Sequence, residues 1–198
     1  MDIQIANRQR RHRISLSRMR RNSRILLTSL GHPEAELSIL LVDDPQIAAM
    51  NRAYLNREGP TNVIAFPMQE GRFAHLSPHL LGDVVISVDT AWREAQAAGL
   101  DLEDRLNQLV VHGLLHLCGY DHEQHAADAR RMAAKSRQLL QALKAVRRSE
   151  PGRAAAGRLP RRQRAAAGPG AGRPAARRAG LRAGHGCRAQ RGQDDRRA

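Results

Sequence analysis

The sequence predicts an α+β domain: a single mixed sheet of about four strands with about five helices, packed mainly against one face of the sheet. Three observations in the 198-residue chain predict it. Four short runs concentrate or alternate Ile, Leu and Val between turn residues, as strands do. Longer stretches carry apolar residues three and four apart, as amphipathic helices do. The two kinds of segment follow one another in mixed order, and all of them lie before residue 149.

Asp2 to Ala6 alternates and reads as a first strand. Residues 8–24 then carry 8 Arg and no acidic residue. Ile14, Leu16, Met19, Ile25, Leu26, Leu27 and Leu30 supply an apolar face, so the later part reads as a basic amphipathic helix ending at Gly31. Such a one-signed run is either a solvated helix face or a footprint for nucleic acid. Glu36 to Val42 reads as a strand. Asp43 or Asp44 caps the next helix, with Pro45 in its first turn and Ile47, Met50 and Tyr54 along it. Asn56 to Asn62 is a turn-rich loop. Val63 to Phe66 is a short strand stopped by Pro67, and residues 68–79 read as a loop. Leu80 to Ser87 is the most apolar strand and is placed centrally. Asp89 or Thr90 caps a helix bearing Trp92, Ala95 and Ala98, which ends at Gly99. Asp101 begins a long helix through Leu106, Leu109, Val110 and Val111 to His112. A final helix covers about Glu123 to Val146.

The net charge of +14 is unevenly spread. Residues 149–198 hold 13 Arg and 3 acidic residues, a charge of +10, while residues 1–148 hold 20 Lys+Arg and 16 Asp+Glu, a charge of +4. The last segment has no Ile, Val, Phe, Trp or Tyr and cannot bury enough surface to offset its ordering entropy. The chain therefore divides into a domain over 1–148 and a disordered tail over 149–198. The tail is either an RNA-binding arm or a non-functional extension; the absence of interleaved aromatics favours the second. Two cysteines, Cys118 and Cys187, make no disulfide framework. No run approaches the ~20 apolar residues that span a bilayer, and nothing resembles a signal peptide. A reducing cytoplasm is the expected setting.

Chemistry concentrates in His112-Gly-Leu-Leu-His116-Leu-Cys-Gly119-Tyr-Asp-His122, three histidines within eleven residues. Residues four apart share a helix face, so His112 and His116 aim at one point. Gly119 can end the helix and turn the chain, swinging His122 back toward them. Three imidazoles with an open fourth position suit a catalytic zinc ion. The spacing matches the zinc-peptidase pattern H-E-x-x-H-x-x-G-x-x-H, except that Gly113 stands where the peptidase has its general-base Glu. Peptide hydrolysis by that route lacks its proton acceptor. A zinc-acidified water, with a pKa of about 7, suits phosphodiester hydrolysis instead. Affinity order alone would also admit nickel or copper.

With Asn51 and Tyr54, Pro60-Thr-Asn-Val-Ile-Ala-Phe-Pro67, Leu81-Gly-Asp-Val-Val-Ile-Ser87 and the histidine motif together, the chain resembles the YbeY family over roughly residues 36–146. That family is the bacterial rRNA maturation factor, a zinc-dependent endoribonuclease. The resemblance implies one Zn²⁺ on His112, His116 and His122, and single-strand-specific RNA cleavage in 16S rRNA 3′-end maturation and ribosome quality control. It implies the small ribosomal subunit and ribosome-associated proteins as partners, and the lack of an apolar span implies no membrane association. His116 and Asp121 are the catalytic candidates, Asp121 orienting an imidazole or accepting a proton; its alternative is a turn-forming Asp. Many family members carry an Arg directly after the aromatic of Tyr54, where this chain has Leu55. Arg52 and Arg57 are candidates to replace it as RNA contacts. Arg18 and Arg21 of the N-terminal helix are candidates to hold the RNA backbone. Asp83, Thr61 and Asn62 either line the site or serve turns. The alternatives are a non-catalytic ribosome-assembly factor that has kept its zinc, and a zinc peptidase with an unusual base.

Overall fold

Apolar runs and helical repeats become four strands and five helices among the residues that the computed structural model describes, 1–68, 79–120 and 125–149. They are β1 (Asp2–Asn7), α1 (Leu16–Ser29), β2 (Glu36–Val42), α2 (Asp44–Leu55), β3 (Val63–Pro67), β4 (Leu80–Ser87), α3 (Val88–Ala98), α4 (Leu102–Leu117) and α5 (Ala126–Ser149). Most of the 68–79 loop, residues 121–124 with Asp121 and His122, and the tail beyond Ser149 lie outside the described residues.

The strands form one sheet in the order β1-β2-β4-β3. β1 and β4 flank β2 in parallel, and β3 pairs antiparallel with β4. The sheet is therefore mixed, and β4, the most apolar strand, is internal, as its composition predicts. Pro67, which lacks an N–H to donate, closes the edge strand β3, where a proline is tolerated.

Side chains alternate across the sheet and divide the interior in two. Leu37, Ile39, Leu41, Val84 and Ile86 enter a large core shared with Leu26 and Leu27 of α1, Val88 and Ala91 of α3, the apolar face of α4, and Met132 and Leu139 of α5. Val42, Ile64 and Val85 face the other way, against Ile47 of α2. Four of the five helices thus share one face of the sheet, the one-sided packing the sequence predicts.

Two caps are settled by hydrogen bonds. Asp43 caps α2, its Oδ1 accepting from Gln46 N at 3.0 Å, and Pro45 follows in the first turn. The cap of α3 is neither Asp89 nor Thr90. β4 runs into α3 without a loop, so the last strand residue, Ser87, takes that position and its Oγ accepts from Thr90 N at 3.2 Å. Asp89 is instead buried in the first turn.

Candidate metal centre

α4 is a core helix whose last two turns leave only two openings. From Leu109 to Leu117 every residue is buried except His112 and His116, which are half-buried. The apolar residues around them fix the helix rotation, and the i, i+4 spacing then puts both imidazoles on the one accessible strip. Gly113 lies one residue round the helix, pressed on the sheet. A β-carbon there would stand 2.8 Å from Val84 Cγ1 and 3.0 Å from Cγ2. No side chain fits between α4 and β4 at this point. The absent peptidase Glu is therefore a matter of space as well as chemistry: residue 113 faces β4, not the histidines.

The two Nε2 atoms converge to 3.2 Å, with ring centroids 4.6 Å apart and planes at 81°. Two nitrogens each about 2.05 Å from one tetrahedral zinc lie about 3.3 Å apart. The pair is therefore spaced to chelate one ion, and a nitrogen donor set suits zinc. Among the described residues no group of three metal-binding side chains is present; His122, and Asp121 beside it, lie outside them. The approach to His122 is described. Gly119, at φ +77°, donates to His116 O at 2.9 Å, and Tyr120 N donates back to Leu115 O at 3.0 Å. These two bonds and the left-handed glycine are the Schellman ending, which reverses the chain just after the second histidine. Tyr120 packs on the core, with the Arg131 guanidinium of α5 5.4 Å from its ring centroid. Cys118 also packs on the core, and burial pushes its thiol up to about 11 against the opposing pull of Lys135.

The other candidates lie elsewhere. Asp83 pairs with Phe66 and shares the register face of Val85 and Ile64, the face under α2. The histidines are on the helix under the opposite face. Asn62 donates from Nδ2 to Glu94 Oε1 at 3.0 Å, and Glu94 is held by Arg105 near the start of α4. Its bonds therefore tie a loop to two helices, away from the α4 C-terminus. Arg52 pairs with Glu58 at 2.9 Å on the surface, and Leu55 and Arg57 are exposed. Arg18 pairs with Glu103 at 2.5 Å, tying α1 to α4, and Arg21 is half-buried on the same helix. The exposed arginines of the basic run are Arg8, Arg10, Arg11 and Arg13, which precede α1, and Arg20 and Arg24 within it. Spacing could not reveal what Gly113 does, since its partner Val84 is on another element.

A family model described as Endoribonuclease YbeY matches residues 4–144. The Endoribonuclease YbeY of Geobacter metallireducens is 50% identical over 140 residues, covering 70% of this chain and 93% of that protein. That of Syntrophotalea carbinolica is 49% identical over 138 residues, covering 69% and 92%. That of Aquifex aeolicus is 38% identical over 115 residues, covering 58% and 75%. Among solved structures, the solution structure of TM1509 from Thermotoga maritima aligns with a TM-score of 0.52 at 24% identity, covering 75% of this chain and 93% of that one. That likeness is one of fold.

Proposed function

The chain belongs to the Endoribonuclease YbeY family, and from that membership we propose that it is a zinc-dependent endoribonuclease. Its substrate is single-stranded RNA in 16S rRNA 3′-end maturation and ribosome quality control, and its setting is the cytoplasm. No described helix is long and apolar enough to cross a membrane. The observation that carries the reading is the convergence of His112 and His116 Nε2 to 3.2 Å on the only open strip of the buried last two turns of α4. It is supported by the family match, which covers every residue of the motif.

His112, His116 and His122 would hold the zinc. When bound, the zinc supplies Lewis acidity to the scissile phosphodiester and to the attacking water. Leu114, Leu115 and Leu117 are buried behind the histidines and keep solvent off that side, so substrate enters from the open strip. Asp121, next to the third histidine in the sequence, would orient that imidazole or accept a proton on a carboxylate oxygen. Arg52 and Arg57, beyond the exposed Leu55, are assigned to the RNA backbone, and Arg18 and Arg21 are secondary candidates because the α1–α4 interface already engages Arg18.

The test is metal content and RNA cleavage on the same preparations of the wild type and His116→Ala. About one zinc per chain in the wild type, with metal lost and cleavage down more than about 100-fold in the variant, supports the reading. Equal cleavage by both proteins would assign the activity to a contaminant and leave a metal-binding assembly factor.

A further inference from the structure

We propose that the β1–α1 loop and the first turns of α3 form a second RNA-contact surface, at the end of the sheet opposite the histidines. On it Trp92 stacks an unpaired base, while Arg8, Arg10, Arg11 and Arg13 hold the neighbouring phosphates. The inference rests on the RNA-substrate reading above and extends it to a surface that the candidate metal centre does not include.

The location follows from topology. β1, β2 and β4 are parallel, so the loop after β1 and the helix after β4 leave the sheet at the same end. α4 runs the other way: a β-carbon on Gly82, near the start of β4, would lie 3.0 Å from Leu117 Cδ2. From Gly82 to Ser87 is about 17 Å of strand at ~3.3 Å per residue. A single strand of RNA laid along the sheet edge therefore crosses a few nucleotides between the two places.

The loop is built to present its arginines. Gln9 is buried, 5% exposed, and serves as its internal template. Gln9 Nε2 donates to His12 O at 2.8 Å, while Oε1 accepts from Arg11 N at 3.0 Å and His12 N at 2.9 Å. Arg8 N donates to Leu41 O at 2.8 Å, which pins the start of the loop to β2. The four arginine side chains are left outside, all exposed. Asp89, buried beneath, takes Arg11 at 3.4 Å and the His12 ring at 3.8 Å, fixing the loop to α3.

That attachment brings an aromatic to the arginines across 80 residues of sequence. The His12 ring lies 5.4 Å from the Trp92 ring at 30°, backing the indole on one side. Trp92 nevertheless remains 42% exposed. Arg93 beside it pairs with Asp44 at 2.7 Å, so the carboxylates of the region are drawn inward and the cations stay outward. An exposed indole on the helix to which the arginine loop is pinned offers the stacking platform with an electrostatic rail that sequence-tolerant single-strand binders use. An acidic protein surface would neutralise the arginines but gives the indole no matching flat partner, so RNA is the favoured occupant.

Trp92 is the only tryptophan of the chain, so its emission reports this surface alone. The full chain is titrated with a single-stranded RNA oligonucleotide in EDTA, which withholds metal and keeps the RNA intact. Saturable quenching of Trp92 that weakens with added salt is expected. The double variant Arg10→Gln/Arg13→Gln should lower the salt slope by roughly 1.4, about 0.7 for each lost phosphate contact. Trp92→Leu, followed by anisotropy of labelled RNA, should bind at least about fivefold more weakly. RNA binding by anisotropy without quenching would overturn the proposal, as would equal quenching by polyglutamate, which would point to an acidic protein partner. With metal restored, cleavage separates this idea from the nuclease reading. Cleavage without quenching sinks the second surface alone; quenching without cleavage sinks the nuclease reading alone.

Discussion

A side chain at position 113 has nowhere to go, and that decides more about the site than the loss of a catalytic carboxylate does. Gly113→Ala would gain about 1 kcal/mol of helix propensity and lose about 1–3 kcal/mol to overpacking against Val84. A net destabilisation is expected in urea unfolding. Val84→Ala alone leaves a cavity, so the two changes together should be less harmful than their sum, with a coupling of about 0.5–3 kcal/mol. Simple additivity would show that α4 relaxes away from β4 instead. Gly113→Glu should unfold the domain rather than create a peptidase; a folded variant that cleaves casein would contradict the packing account. The histidine pair was legible in the sequence because i, i+4 geometry is local to a helix. The reason for the glycine between them was not, because Val84 is 29 residues away and nothing in the spacing points to it.

Where elements meet, capping groups carry the information, and one carboxylate joins two helices to the sheet. Asp44 Oδ1 accepts from Ser87 Oγ at 2.5 Å and Thr90 Oγ1 at 2.6 Å, while Oδ2 pairs with Arg93 at 2.7 Å. Burial alone would raise its pKa, but the bonds from Ser87, Thr90 and Arg93 outweigh it and hold the carboxyl below its usual value. A depressed folded pKa gives stability that is present above the unfolded pKa and lost as pH falls through the folded one. Asp44→Asn should therefore cost about 1–3 kcal/mol near neutral pH, with the difference from wild type shrinking below about pH 4. Urea midpoints at neutral and acidic pH measure this; an unchanged gap would mean that shape rather than charge holds α2 to α3. Strand and helix positions were readable from periodicity, down to Glu36–Val42 and Leu80–Ser87. The α3 cap was not, because an Asp or Thr inside the first turn competes on equal terms with a Ser at the end of a strand until the hydrogen bonds are seen.

For the molecule as a whole, charge and fold are carried by different parts of the chain. The central place of β4 follows from its composition, but the order β1-β2-β4-β3 is a tertiary outcome. So is the meeting of Trp92 with the arginine loop, which no spacing in the sequence points to. Residues 149–198 bring +10 of the +14 net charge, yet the family match ends at residue 144 and α5 ends at Ser149. If recognition depends on the loop, on Trp92 and on the histidine strip, the tail adds only unspecific attraction to phosphate. A chain ending after Ser149 should then keep its metal, its cleavage of single-stranded RNA and its Trp92 quenching. Its affinity for duplex DNA, which offers phosphates but no unpaired bases, should fall steeply and lose most of its salt dependence. Filter binding to both nucleic acids, beside the cleavage rate, measures the contrast. A drop in cleavage of more than about tenfold, about 1.4 kcal/mol of transition-state stabilisation, would mean that the arginine tail takes part in catalysis on the natural substrate.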